Sequence, residues 1–295
     1  MRKLFAFLSA SVVFVLAAAP VAASEHSDHN DGRVGYLALG DSVPFGFDPR
    51  ADASDADNFI GYPEIVAKRL NLEHANASCP GEATGGFLSL TGTDNVCRPY
   101  RFYLHNPLHV DYSGTQVDYA TAYLRSHPGT RLVTLTLGAN DIFRYQKDCT
   151  PKPTCLTDAG AIGGVLAVMY ANLTTIFAAI RATGYSGLIV AVTYYALDYS
   201  DTRGTVGLNS PMVAAATAHG ALVASGLDAW AATAHGGSSC TAGLLIRLPD
   251  RTCDVHPSPL GRNLLAAKVM STIAASCPAH NAKRCLGSDS DSDSD

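Results

Sequence analysis

The sequence predicts an α/β fold built on a parallel sheet, and three observations carry that expectation. The run Val34–Leu39 is apolar and has the length and composition of a buried parallel strand. It stops abruptly at Gly40-Asp41-Ser42, which places a hydroxyl at the carboxyl edge of a sheet, where open α/β folds hold their chemistry. A second run, Arg131–Leu137, is rich in β-branched residues and also ends in a glycine, within Gly138-Ala139-Asn140-Asp141. Segments with apolar residues at helical spacing separate one strand from the next. With 47% apolar and 16% charged residues, the composition is that of a globular protein and too apolar for disorder.

The amino terminus reads as a processing segment. Arg2-Lys3 is a positive start, Leu4–Ala19 is apolar, and Val21-Ala22-Ala23 offers small residues for cleavage. Residues 1–23 are therefore expected to be a secretory signal peptide. The apolar core is short for a membrane span of about 20 residues, and no other stretch reads as long and apolar enough to cross a bilayer. Residues 24–33 form a polar, flexible leader in which His26 and His29 are solvated rather than metal ligands. Residues 34–287 make one globular domain, with no repeat and no composition shift to divide it. Residues 288–295 alternate Ser and Asp and are expected to be a disordered acidic tail.

The net charge of −5 offers no concentrated basic patch and argues against nucleic-acid binding. Eight cysteines behind a signal peptide suggest disulfides. Proximity favours Cys79–Cys97, Cys149–Cys155, Cys240–Cys253 and Cys277–Cys285. The chain has no Cys-x-x-Cys pair and no His-x-x-x-His helix motif, so no metal is expected.

In chain order, Val34–Leu39 is the first strand, and Asp48–Asp57, rich in Asp, Ala and Ser, is a surface loop. Tyr62–Leu70 spaces Ile65, Val66 and Leu70 as a helix does and tolerates Pro63 at its start. Leu72–Ala75 is a second strand that runs into Asn76–Thr84. Gly81 in that stretch either makes a turn or exposes a backbone N–H to a ligand. Phe87–Ser113 is loop-like and aromatic, either a pocket wall or simply a packed loop. Gln116–Ser126 is a helix and Arg131–Leu137 the third strand. Asn140 after it can donate to a developing negative charge or cap the next helix. Ile162–Thr183 is a long amphipathic helix, Gly187–Val192 the fourth strand, and Tyr194–Ser210 irregular. Pro211–His219 is helical, Ala221–Ser225 the fifth strand, and Trp230 packs in the core. His235–Arg251 is a loop region. His256 follows on a loop stiffened by Pro257 and Pro259, ahead of a final helix marked by Leu264, Leu265, Val269 and Ile273.

Singly these features are ordinary. In this order, Gly40-Asp41-Ser42, Gly81 in Asn-x-x-x-x-Gly-x-x-Thr, Gly-x-Asn-Asp at 138–141 and His256-Pro257 resemble the GDSL/SGNH hydrolase superfamily. The match spans Val34 to Ala275, and the four blocks follow strands one, two, three and five as that family's do. The resemblance implies a three-layer α/β/α flavodoxin-like domain with a five-stranded parallel sheet. It implies esterase or lipase activity on carboxylic esters, with no cofactor. Carried onto this chain, Ser42 is the nucleophile and lends a backbone N–H to the oxyanion hole, Gly81 lends a second N–H, Asn140 its side-chain amide, and His256 is the general base.

Two departures stand out. Val43 replaces the eponymous leucine. Many members carry an aspartate three residues before the histidine, where this chain has Cys253; Asp254 is two before. Either Asp254 or a backbone carbonyl orients His256. The expectation is thus a secreted, extracellular, monomeric serine ester hydrolase acting on a small-molecule or lipid ester, without membrane insertion. The acyl group stays open between sugar-acetyl esters, phospholipids and thioesters, although Phe102 and Tyr103 suit an apolar acyl chain. The alternative is a non-catalytic wall- or glycan-binding protein on the same fold.

Overall fold

Five strands run parallel through the centre of the molecule in the computed structural model, which describes residues 34–150, 157–278 and 280–287. The first strand, β1 (Val34–Gly40), leads into a one-turn helix, α1 (Ser42–Phe45). Then come α2 (Tyr62–Leu70), β2 (Leu72–Asn76), α3 (Thr84–Leu88), α4 (Gln116–Ser126) and β3 (Thr130–Thr136). The second half holds α5 (Ala139–Cys149), α6 (Ala159–Ala182), β4 (Leu188–Val192), α7 (Arg203–Ala218), β5 (Leu222–Ala224) and α8 (Gly226–Ala234). A hairpin of β6 (Leu245–Arg247) and β7 (Cys253–Pro257), then α9 (Pro259–Ala275) and α10 (Ala282–Leu286), complete it. The sheet order is β2-β1-β3-β4-β5.

Strand alternation builds the three layers. Tyr36 and Ala38 of β1, Leu132 of β3, and Val190 and Val192 of β4 face a core that includes Val66 of α2, Trp230 of α8 and Leu265 of α9. Leu37 and Leu39, Val133 and Leu135, and Ile189 and Ala191 face the other core, with Phe87 of α3, Leu124 of α4, Phe177 of α6 and Met212 of α7. The central strands β1, β3 and β4 are largely buried on both faces, hence their near-continuous apolar runs. The chain leaves β1 toward β2 on one side and later returns to β3 on the other. That reversal opens a crevice at the carboxyl ends of β1 and β3, where such sheets bind ligands.

Several sequence expectations need correction. Helix α7 begins at Arg203, well before Pro211, which lies in its interior. A proline cannot donate to the carbonyl four residues back; here Ser210 Oγ donates to Gly207 O at 2.8 Å instead. The expected loop 235–251 contains β6, and His256 lies on β7, not on a loop. The aromatic stretch 87–113 includes a π-helical turn at Pro99–Tyr103. Finally, α6 is by length and composition apolar enough to cross a bilayer, with a hydropathy of 1.7, contrary to the sequence reading. Its buried residues Met169, Leu173, Ile176, Phe177 and Ile180 run from just before its midpoint to its carboxyl end, and the last four join the core under the sheet.

Disulfides join Cys79 to Cys97, Cys240 to Cys253 and Cys277 to Cys285, as their proximity suggested. The signal peptide, the leader, the acidic tail and Cys155 lie outside the described residues.

Candidate active site

The turn after β1 has little freedom. Gly40 has φ of +129°, and a Cβ there would sit 1.9 Å from Thr136 O, so only glycine lets β1 lie this close to β3. Gln116 clasps this residue from both sides: Gly40 N–H donates to Gln116 Oε1 at 2.5 Å, and Gln116 Nε2 donates to Gly40 O at 3.0 Å. Asp41 then caps α1, its Oδ1 accepting the Val43 N–H at 3.0 Å. Ser42 is thereby the first residue of a helical turn at the sheet's carboxyl edge.

His256 reaches Ser42 from the far end of the sequence. Its Nε2 lies 2.7 Å from Ser42 Oγ. Asp254 Oδ1 accepts from His256 Nδ1 and also from the His256 backbone N–H at 3.0 Å. Burial pushes the Asp254 carboxyl up, but the hydrogen bond and charge of His256 outweigh it and hold the group below its ordinary range. Three further contacts fix β7: the Cys240–Cys253 disulfide, Tyr195 Oη donating to Val255 O at 2.8 Å, and Ser258 N–H donating to Leu244 O at 2.8 Å. Tyr195 itself stacks on buried Trp230, with centroids 3.7 Å apart. Phe47 packs edge-on against the His256 ring at 5.1 Å.

Asn140, buried in the first turn of α5, meets Asp41. Its Nδ2 lies 3.5 Å from Asp41 Oδ2, while its Oδ1 accepts from Asn95 Nδ2 at 3.0 Å. The Asn95 contact settles which way the amide faces and leaves one Nδ2 hydrogen for another acceptor. Tyr194 Oη donates to Asp41 Oδ2 at 2.5 Å and accepts the Ala139 N–H at 3.0 Å. Burial raises the Asp41 carboxyl to about 6, against the lowering pull of Tyr194 and the Val43 N–H.

Gly81 sits in the turn after β2, which is tied to the Ser42 turn by Cys79 N–H donating to Gly40 O at 3.0 Å. Its φ is +81°, and a Cβ would lie 2.5 Å from Val96 Cβ, so glycine is needed there on backbone grounds alone. Neither the Ser42 N–H nor the Gly81 N–H donates to another described residue. The neighbouring Thr84 donates through both N–H and Oγ1 to buried Asp141, at 3.0 and 2.6 Å, joining this turn to the residue after Asn140.

A cavity of about 670 Å³ opens here, with Ser42, Asn140 and His256 in its wall; Gly81 is not among its lining residues. Phe102 and Tyr103 do not line it either, so the expected aromatic pocket wall is not where the cavity lies. Sequence reading missed Tyr194, Asn95 and Gln116, each of which acts only through a contact distant in sequence. The one grouping of potential metal ligands among the described residues, Cys79, Glu82 and Cys97, is not a usable site, because both sulfurs are spent in a disulfide. Chemically, the arrangement has a hydroxyl on an imidazole, the imidazole on a carboxylate, and unpaired donors beside them, the makings of acyl transfer.

A family model described as GDSL-like lipase/acylhydrolase matches residues 38–264. Among solved structures, a phospholipase A1 from Streptomyces albidoflavus NA297 is similar with a TM-score of 0.51 at 18% identity, over 81% of this chain and 99% of that one. An acetylxylan esterase from Geobacillus stearothermophilus is similar with a TM-score of 0.50 at 15% identity, over 81% and 94% of the two chains. No curated protein matches the sequence. At these identities the structural likeness carries the α/β/α fold alone.

Proposed function

Since the chain belongs to the GDSL-like lipase/acylhydrolase family and is thus a carboxylic ester hydrolase, we propose that it works as a secreted serine enzyme through an acyl-serine intermediate, with Ser42 as nucleophile. The observation that carries this reading is the 2.7 Å approach of His256 Nε2 to Ser42 Oγ, with Asp254 on the other ring nitrogen. A serine hydroxyl needs such a base to attack at neutral pH.

His256 takes the Ser42 proton as Oγ bonds to the ester carbonyl carbon. The carbonyl oxygen becomes an oxyanion that the Ser42 and Gly81 N–H groups and the free Asn140 amide hydrogen stabilise. The intermediate collapses, the alcohol leaves with the proton held on His256, and Ser42 keeps the acyl group. Water, deprotonated by His256, then attacks the acyl carbon, and the acid departs with Ser42 restored. Asp254 holds the imidazole in the tautomer this shuttle requires. The disulfides found among the described residues support export to an oxidising compartment.

The test is Ser42→Ala together with labelling by a fluorophosphonate. The variant is expected to fold, to lose p-nitrophenyl ester hydrolysis and to resist the label. Full hydrolysis by Ser42→Ala would overturn the assignment, and inertness of the wild type toward a broad ester panel would favour the non-catalytic binding protein.

A further inference from the structure

The hydroxyl of Tyr194 is buried at the site and takes no part in the proposed proton transfers. Tyr194 follows β4, is 8% exposed, and lines the cavity with Asp41, Ser42 and Asn140. Its Oη donates to Asp41 Oδ2 at 2.5 Å and accepts the Ala139 N–H, at the amino end of α5, at 3.0 Å. The backbone behind it is fixed from α7. Asn209 Oδ1 accepts the Tyr194 N–H at 2.9 Å, and Asn209 Nδ2 donates to Tyr194 O at 2.8 Å. One hydroxyl thus ties together the turns after β1, β3 and β4.

Asp41 is the group this hydroxyl holds. It is 1% exposed, and its two oxygens have separate partners. Oδ1 accepts the Val43 N–H and so fixes the turn that carries Ser42. Oδ2 is shared between Tyr194 Oη at 2.5 Å and Asn140 Nδ2 at 3.5 Å. A buried carboxylate with no other donor would draw the Asn140 amide fully onto itself, away from the place where an ester oxygen gains charge. The bond from Tyr194 satisfies Oδ2 instead. The Ala139 N–H behind that hydroxyl couples the charge to the positive end of α5.

We propose that Tyr194 is a positioning residue for ester hydrolysis, holding the Asp41 carboxylate so that Asn140 presents an amide hydrogen to the oxyanion. This deepens the acyl-serine reading and rests on it for the roles of Ser42 and Asn140. Tyr194 touches no reacting atom, so it acts through Asn140. The arrangement requires Asp41 to be ionised, because a protonated Oδ2 would itself donate and leave Asn140 Nδ2 without its acceptor. The titratable groups that feel this carboxylate are Tyr194 and Tyr195 after β4, Asp141 of α5, Tyr62 of α2 and His256 of β7. Burial raises the Asp41 carboxyl to about 6, and the Tyr194 hydrogen bond is the largest of the influences that lower it.

The experiment follows p-nitrophenyl acetate hydrolysis across the acid and neutral range. Tyr194→Phe is expected to lower kcat about tenfold to a hundredfold with KM little changed. It should also move the acid limb of kcat/KM up by about one pH unit, since Asp41 then keeps its proton to higher pH. A limb governed by His256 alone would stay or move down, because a neutral Asp41 stabilises the imidazolium less. In an Asn140→Ala background Tyr194→Phe should cost less than about twofold more. A repeat of the full loss there, or wild-type kcat and an unmoved limb in Tyr194→Phe alone, would overturn the role. Should Tyr194→Phe fail to fold, Asn209→Ala keeps the hydroxyl but loosens the backbone that aims it. It should give a smaller kcat loss that also vanishes in the Asn140→Ala background, and a loss that persists there would overturn the role as well. Ser42→Ala run alongside separates the two readings. If it is inactive while Tyr194→Phe equals wild type, only the role of Tyr194 falls; if it hydrolyses fully, the acyl-serine reading falls and takes this role with it.

Discussion

Asp254 and His256 stand two residues apart on β7, so their side chains leave the same face of the strand and meet. Cys253, three before the histidine, points the other way and is tied to Cys240. The shift of the acid by one position relative to many related sequences therefore coincides with an extended segment in which a two-residue spacing works. Asp254 also holds the His256 backbone N–H, so one carboxylate fixes both the ring and the chain that carries it.

Replacing Asp254 should accordingly be costly without being absolute. Asp254→Asn is expected to lower kcat by about 10²–10⁴, with KM little changed. In a Ser42→Ala background the same change should cost almost nothing further, because the groups act as a unit. Steady-state kinetics on p-nitrophenyl esters check both, and wild-type kcat in Asp254→Asn would point to a dyad oriented by something else.

Asn140 is expected to act on the transition state. Asn140→Ala should reduce kcat by about 10²–10³ with little change in KM. Asn95→Ala should cause a smaller loss of the same kind, since it removes only the contact that sets the amide's direction. An effect of either variant confined to KM would contradict the oxyanion assignment.

The buried Asp41 gives stability a pH dependence of definite sign. Its carboxyl titrates at about 6 in the folded protein, raised from 3.8. Between those values the folded state binds more protons than the unfolded one, so this group's contribution falls as pH rises through the window and is flat above it. The whole span is worth up to about 3 kcal/mol. Asp254, held low, acts in the opposite sense: its contribution is present above the ordinary carboxylate range and lost as pH falls through its folded value. Urea unfolding of wild type and Asp41→Asn isolates the first effect. The stability of wild type relative to the variant should decline from pH 4 to pH 6; a constant difference would be the wrong outcome.

The Cys240–Cys253 bridge closes a short loop next to the acid and the base, with 13 residues of separation. Replacing both cysteines by serine should cost about 3 kcal/mol of stability and reduce kcat, because β7 loses an anchor beside Asp254. Thermal unfolding and activity, measured on the same sample, test the two effects together. A variant destabilised but fully active would mean that Tyr195 and the β6 pairing hold β7 without the bridge.

Much of this could be read in the sequence because Ser42 and Asn140 each follow an apolar run that breaks at a glycine. Helix 62–70 was legible from its apolar spacing and the proline at its start. The relation of Asp254 to His256 was not, since it depends on whether the segment is extended, and a loop reading leaves that open. Helix α7 was misread because Gly204, Gly207 and Pro211 all disfavour a helix, and the Ser210 substitute for the missing hydrogen bond is visible only in three dimensions. Tyr194 and Asn95 carry no local signal at all; they matter because β4 and the loop before Tyr100 happen to end beside Asp41 and Asn140. Of the two readings of the aromatic stretch around Phe102 and Tyr103, the pocket wall fails, because aromatic content says nothing about which side of the sheet edge a loop occupies.

The span between Ser42 and His256 is 214 residues, almost the whole length of the domain. In chain order the serine comes first, the asparagine near the middle, and the β6–β7 hairpin with His256 only after all five strands of the parallel sheet. A chain that stops before β6, or whose hairpin has not yet docked, lacks the His256 contact to Ser42 Oγ. With Ser42 and His256 in the roles proposed above, the order of the elements makes hydrolytic competence wait for the carboxyl-terminal hairpin to dock on the sheet.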